Sequence, residues 1–239
     1  KYLSEIGFCS RRAADKLIEE GRVRINGKVP EMGTKVMPGD VVTVDNKPTQ
    51  APSEDFIYIA FNKPKGITCT TDSKDKTNII DFINHKSRIF PIGRLDKLSD
   101  GLIFLTNDGD IVNKILRAGN GHEKEYVVTV DKPIEQQDIL KMRNGIKILG
   151  TVTNKCFVKQ EGEKRFRIIL TQGLNRQIRR MCESLGYRVV TLTRTRIMNI
   201  TLSGIAPGKW RLFSPSEINA MQDMVKNSKK TDDQDGFGE

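Results

Sequence analysis

The chain has 239 residues, 37% of them hydrophobic, and a net charge of +10. That length suffices for one medium domain and a small one with a real core; no apolar run approaches the roughly 18 residues a membrane helix needs, and no secretory signal pattern opens the chain, so a reduced, cytoplasmic setting is expected. Cys9, Cys69, Cys156 and Cys182 are scattered without a CxxC, and His85 and His122 are the two histidines, which argues against a disulfide framework, a zinc ribbon or a His-rich metal site.

Residues 1–47 read as a compact unit. The chain opens at Lys1 without Met, and Tyr2, Leu3 and Ile6 read as the end of an earlier helix, as an N-terminally trimmed domain would leave. Ser10 is placed to cap a helix whose apolar positions Ala14, Leu17 and Ile18 follow the i, i+3, i+4 rule. Gly21 closes it. Val23-Arg24-Ile25 leads into the hairpin dipeptide Asn26-Gly27, and Pro38-Gly39-Asp40 turns the chain into the strand Val41–Val44. In this order the pieces of "SRRAADKLIEEGRVRINGKV" resemble the S4 RNA-binding module, a small fold of two helices and a short sheet. The resemblance covers about the first fifth of the chain and implies that Arg11, Arg12 and Lys16 face RNA phosphates. The alternative is a solvated basic helix face.

Two prolines and polar neighbours make residues 48–54 a linker. The domain expected over 55–225 mixes strands and helices. Ile57 to Phe61 is a strand ending in the turn Asn62-Lys63-Pro64-Lys65-Gly66. Gly101 to Thr106 is a buried strand, followed by a helix that Asp110 would cap. Glu125 to Val130 is a strand and Glu135 to Met142 a short helix. Cys156–Val158 and Phe166–Leu170 form a hairpin around Glu161-Gly162. Asn175 would cap a helix over Arg176 to Leu185, stopped at Gly186, and Val189 to Leu202 supplies further strands. Ser214-Pro215-Ser216-Glu217 is a capping box with Pro at the first helical position. Residues 226–239 are low in apolar content and expected to be disordered. Antiparallel signals dominate and no βα unit repeats, so the class is α+β, with a mixed, mostly antiparallel sheet flanked by helices.

Charge is unevenly placed. Between Gly173 and Leu212 eight cations, seven of them Arg, face one acid, Glu183, whereas the chain from Phe213 onward is net acidic. Such a cluster is the footprint of a polyanion partner, and Arg forks onto phosphates and stacks on bases better than Lys. Arg176, Arg180, Arg194 and Arg196 are the candidate RNA contacts there. On the helix from Arg176, Ile178, Met181, Cys182 and Leu185 form one apolar stripe. Arg179 lies at its edge, about 100° from Ile178. From there it either snorkels to water or turns to the core rim, where it would need an acid.

The acid could be Asp96. "GRLDKLSDGL" places Arg94 two residues before Asp96, then Asp100-Gly101, ahead of an apolar run. By residue type alone Asp96 is a turn residue, a metal ligand or a catalytic carboxylate. Asp108 and Asp110 read as turn and cap residues, and Asp100-Gly101 as a turn.

"FPIGRLDKLSDGLIFLTNDGD", "HEKEYVVTV" and "LTQGLNRQIRRM", in this order and followed by "RTRIMNITLSGIAPGKWR", resemble the active-site stretches of pseudouridine synthases of the RsuA type. With the S4-like start, the resemblance spans nearly the whole chain. It implies isomerisation of a uridine within RNA, most of all large-subunit ribosomal RNA, by a monomer that needs no metal or cofactor; some members of the family act on transfer RNA. The base must leave its stack. A carboxylate must then act at the ribose, by attack on the anomeric carbon or by removing a sugar proton. By the resemblance that residue is Asp96, with Arg179 keeping it ionised and positioned and Tyr126 stacking on the flipped base. The same comparison gives supporting places to Arg94, Lys124 and Leu170. Two rivals stand beside this reading. One is a non-enzymatic RNA-binding or ribosome-assembly protein, for which the S4-like module and the Arg-rich segment suffice. The other is a magnesium-dependent nuclease built on Asp96, Asp100, Asp108 and Asp110.

Overall fold

A computed structural model describes residues 1–49 and 56–228. The chain divides into two compact units, Lys1–Phe56 with Asn107–Gly109, and Ile57–Thr106 with the residues from Asp110 onward. No helix among the described residues is long and apolar enough to cross a membrane.

The first unit contains α1 (Tyr2–Glu5), α2 (Arg11–Glu19), β1 (Val23–Ile25), β2 (Val42–Val44) and β3 (Lys47–Pro48). Ser10 caps α2, its hydroxyl accepting from the Ala13 amide, and Leu3, Ala14, Val23, Val42 and Val44 form a small core. Asn26 and Gly27 both take positive φ and turn the chain as their sequence demands. They join Ile25 and Lys28 in an antiparallel bridge, and β1 then forms its ladder with β2, where the side chain of Asn26 binds Asp40 and the Val41 amide. Pro48 pairs in β3, and Thr49 is tied to the Val42 carbonyl, so the sheet runs past the boundary expected at residue 47. The rest of the expected linker, residues 50–54, lies outside the described residues.

The second unit begins with β4 (Tyr58–Lys63), α3 (Ile79–Ile83), β5 (Phe90–Ile92), β6 (Asp100–Thr106) and α4 (Gly109–Leu116). It continues with a short 3-10 turn, β7 (Lys124–Val130), α5 (Gln136–Asn144), β8 (Lys147–Ile148), β9 (Thr151–Val152), β10 (Phe157–Gly162) and β11 (Arg165–Leu170). It closes with α6 (Gln177–Ser184), β12 (Val189–Ile197), β13 (Ile200–Thr201), β14 (Trp210–Leu212) and α7 (Pro215–Val225). Nine strands form one sheet in the order β10-β11-β7-β12-β6-β4-β14, with β13 on β12 and β5 on β6. β12 and β6 pair in parallel, and the sheet's other described pairings are antiparallel.

Three cores cover this sheet. Alternate residues of β4 and β6 bury opposite ways: Tyr58, Ala60, Leu102 and Phe104 pack with α4 and α7, and Ile59, Phe61, Ile103 and Leu105 with α3. Two covered faces explain the unbroken apolar run of β6. Val128, Val130, Phe166 and Ile168 of β7 and β11 pack under α5 and α6. Tyr126 contacts both this core and that of α3, so it marks where the two meet.

Several element ends differ from expectation. β4 extends through Asn62 and Lys63, because Asn62 is held by Ile205 and Lys63 pairs with Gly101. The helix after β6 starts at Gly109, so Asp110 lies within its first turn rather than at the cap. Arg176, in left-handed conformation, occupies the position before α6, and the side-chain oxygen of Asn175 is taken by Arg180. Asp100-Gly101 opens β6 rather than turning ahead of it. Ser228 lies 2.8 Å from His122 Nε2 in a hydrogen bond, so the ordered chain runs past 226; residues 229–239 of the expected tail lie outside the described residues.

Gly101 is the tightest point of the sheet. Its φ is +103°, and a Cβ there would lie 2.3 Å from the Arg194 carbonyl oxygen and 2.6 Å from its nitrogen. Gly101→Ala is therefore expected to destabilise the protein by at least about 2 kcal/mol, measured by urea denaturation; a loss under about 0.5 kcal/mol would show that the pairing of β6 and β12 yields at no cost.

Candidate active site

The register of the sheet assembles the site. Tyr126 on β7 pairs with Arg194 on β12, Arg194 with Gly101 on β6, and Gly101 with Lys63 on β4. Paired residues share a face, so Tyr126, Arg194 and Lys63 form one row, with the bare backbone of Gly101 packed tightly against Arg194 between the two cations. Over Tyr126 and Arg194 lies a cleft of about 860 Å³, a size that suits a nucleotide-scale ligand.

Asp96 hangs over this floor from the segment between β5 and β6. The segment is anchored by Leu95, whose side chain is buried in the α3 core and whose amide donates to Cys69 Sγ (3.3 Å). The Ser99 amide donates to the Asp96 carbonyl and closes a turn. From α6 the buried Arg179 reaches across: its Nη2 donates to Ser99 Oγ (3.0 Å), and its Nε lies 3.4 Å from Asp96 Oδ2. This is an ion pair without hydrogen-bond geometry, and Nε has no hydrogen-bond partner. The guanidinium thus neutralises the acid while leaving the carboxylate oxygens available to a ligand. Arg179 takes the inward course that its position on the stripe edge allowed.

Asp96 is the single acid among the described lining residues, beside the cations Arg94, Lys97, Lys124, Arg176 and Arg194. Tyr126 and Leu170 also line the cleft, Leu170 as a buried wall. Arg94 and Arg176 stand exposed at its rim. Lys124, two residues before Tyr126 on the same strand face, is buried, and its Nζ donates to the His122 carbonyl (3.2 Å). Burial, then the Arg194 charge, pushes it down to about 8.

The four Arg residues expected to contact RNA part company. Arg176 lines the cleft, whereas Arg180 binds Asn175 at the start of α6. Arg194 is 4% exposed, donates from Nε to the Leu102 carbonyl (2.7 Å) and lies 5.9 Å from the centroid of the Tyr126 ring. Arg196 is bound by Glu123 and Glu125 on the opposite face of the sheet. A period of two would put both arginines on one face; the register shift between Arg194 and Arg196 turns them apart. In the first unit Arg11, Arg12 and Lys16 are exposed along α2.

Three site residues had not been singled out. Lys63, at the β4 end of the row, is fully buried beside the cleft, its Nζ donating to the carbonyls of Pro64 and Ile67 (2.9 Å each), and burial lowers its pKa. The spacing Ile59, Phe61, Lys63 was its signal, since it sets the lysine on a buried strand face. Cys69, whose thiol burial pushes up, and Ser99 have no such signature.

The chain matches the family model described as RNA pseudouridylate synthase over residues 57–184 and that of the S4 domain over residues 1–42. It is 58% identical to the dual-specificity RNA pseudouridine synthase RluF of Escherichia coli (strain K12), over 95% of this chain and 79% of that one. It is 35% identical to the ribosomal large subunit pseudouridine synthase B of Bacillus subtilis (strain 168), over 96% and 97%. Among solved structures, a crystal structure of a pseudouridylate synthase superposes with a TM-score of 0.69 at 26% identity, covering 92% of this chain and 97% of that one.

Lys124 yields a stability prediction. Below about pH 8 the folded protein carries a desolvated ammonium; between about 8 and the free value of 10.5 the folded state has shed its proton and the unfolded state has not, so stability rises with pH across that window. Lys124→Met is expected to stabilise the protein at pH 7 by on the order of 1–3 kcal/mol, with the gain shrinking toward pH 10. Denaturant midpoints at the two pH values check this, and a destabilised variant at pH 7 would contradict it.

Proposed function

The chain belongs to the RNA pseudouridylate synthase family and is a pseudouridine-forming isomerase; from that premise we propose that it acts on a specific uridine of large-subunit (23S) ribosomal RNA, taking the base out of its stack and using Asp96 at the ribose. The observation that carries the mechanism is the lone carboxylate Asp96, 3.4 Å from the buried Arg179 guanidinium, in a cleft otherwise lined by cations.

Each requirement of the reaction has a group suited to it. Positive potential draws the phosphate backbone, with Arg94 and Arg176 at the rim and Arg11, Arg12 and Lys16 on the S4 domain as its contacts. A flipped base costs a few kcal/mol of lost stacking, which the face of Tyr126 and the wall at Leu170 offset. Asp96 then attacks the anomeric carbon or removes a sugar proton, and Arg179 holds it in place. None of these steps calls on a metal or cofactor. Transfer RNA is the second substrate class to test, because the relative at 58% identity is described as dual-specificity.

Asp96→Asn is expected to lower conversion of uridine to pseudouridine by at least about 1,000-fold while RNA affinity stays within a few-fold. Nucleoside analysis of ribosomal and transfer RNA incubated with each form measures this; activity surviving in the variant would sink the role of Asp96, and activity lost to a chelator would favour carboxylate–metal chemistry. Replacing Arg11, Arg12 and Lys16 together by Ala is expected to weaken RNA binding and to flatten the dependence of log K on log salt by roughly 2–3. An unchanged salt slope would remove α2 from the RNA interface.

A further inference from the structure

The floor of the cleft carries more positive charge than the pairing of Asp96 and Arg179 accounts for. Arg194 is nine-tenths buried or more, and its Nη2 has no hydrogen-bond partner. Its sheet neighbour toward β7 is Tyr126, on which the base is expected to stack. Lys124, on the same face of β7 two residues before Tyr126, is also buried and gives one hydrogen bond, leaving further N–H donors unengaged. The nearby acid Asp100 accepts from Thr193. A buried guanidinium donor left unpaired is costly, and Lys124 adds a second desolvated cation. Together they describe a site built for an anion beside the Tyr126 ring.

The geometry points to Arg194 and Lys124 as the pair that holds the detached uracil anion while it turns between the two bonding positions. This rests on the reaction proposed above. When the bond from the anomeric carbon to N1 breaks, its electron pair stays on the base and spreads over O2 and O4. The ring must then present C5, whose electron pair forms the new bond to the same carbon as the Asp96 carboxylate leaves it, or as Asp96 returns the sugar proton it took. The C5 proton is lost and N1 takes one up, so composition is unchanged. Between the two bonds nothing covalent keeps the base in the cleft. Two cations lining the cleft with Tyr126 retain an anion whose charge is shared by the two carbonyl oxygens flanking N3, and they stabilise the charge as it develops in the first step.

The test compares single-turnover rates on RNA containing uridine with rates on the same RNA containing 5-fluorouridine, whose fluorine already stabilises the base anion. Loss of the target nucleoside is followed in wild type, Arg194→Gln and Lys124→Met. The expected result is a 10- to 100-fold loss for each variant on uridine, a loss at least about fivefold smaller on 5-fluorouridine, and RNA affinity within twofold of wild type. Equal losses on both RNAs, or no loss, would overturn the inference while leaving the enzyme's activity in place. A wild-type protein that converts no uridine would overturn the proposed reaction and this inference together. Because Arg194→Gln also removes the bond to Leu102, thermal unfolding accompanies each variant; should it not fold, Lys124→Met alone decides by the same comparison.

Discussion

The second unit depends on one narrow contact, the parallel pairing of β12 with β6. Two antiparallel blocks, β10-β11-β7-β12 and β6-β4-β14, are joined into one sheet by Thr193↔Asp100 and Arg194↔Gly101. The approach is so close that no side chain fits at residue 101. Each block carries its own helical layer on the cleft face, α5 and α6 on one side and α3 on the other. The gap between those layers is the cleft, and the joint lies beneath it. Acid and cation therefore come from different blocks: Asp96 precedes β6, while Arg179, Tyr126 and Arg194 belong to the other half. Sheet closure and site assembly are the same event.

Charge follows from that geometry. A carboxylate on the loop above the floor faces one guanidinium that neutralises it and further cations that have no second acid to match among the described lining residues. Such an excess is poor design for stability, since desolvated cations weaken a fold unless paired. It suits the proposed reaction, in which the site receives a polyanion and then bears negative charge on a leaving group. The weakness is placed where packing elsewhere is complete: β4 and β6 are buried on both faces, and the capping box of Ser214 and Glu217, with Arg211 forked onto Glu217, secures α7 across that block.

Legibility in the sequence tracked how local the deciding force was. The Ser10 cap, the Ser214 capping box, the run of β6 and the apolar stripe of α6 are short-range patterns, and each appears where the sequence puts it. The inward turn of Arg179 was legible as one of two courses, because an Arg at a stripe edge must choose water or an acid. Long-range constraints were not legible. A bulge near Thr195 separates Arg194 from Arg196, although a simple alternation would group them. The hairpin dipeptide turns the chain between Ile25 and Lys28 as expected, but the longer ladder of β1 is with β2, where Asn26 reaches Asp40. Gly101 looked like a turn glycine because the same residue type serves a turn and a close approach, and only the register tells them apart.

The separation of Arg194 from Arg196 also explains why one basic segment can serve two ends. Arg196 joins Glu123, Glu125, Thr195, Arg167 and Glu161 in a network on the far face of the sheet, where alternating charges hold β7, β11 and β12 together. Partly exposed pairs of this kind contribute little singly, but here they cover the face of β7, β11 and β12 opposite the α5–α6 layer. Arg194, two residues earlier, has no such counter-charge and keeps a free donor under the cleft. The sum of charge over the segment says only that a polyanion is near. The bulge decides which of its cations brace the sheet and which keep a donor under the cleft.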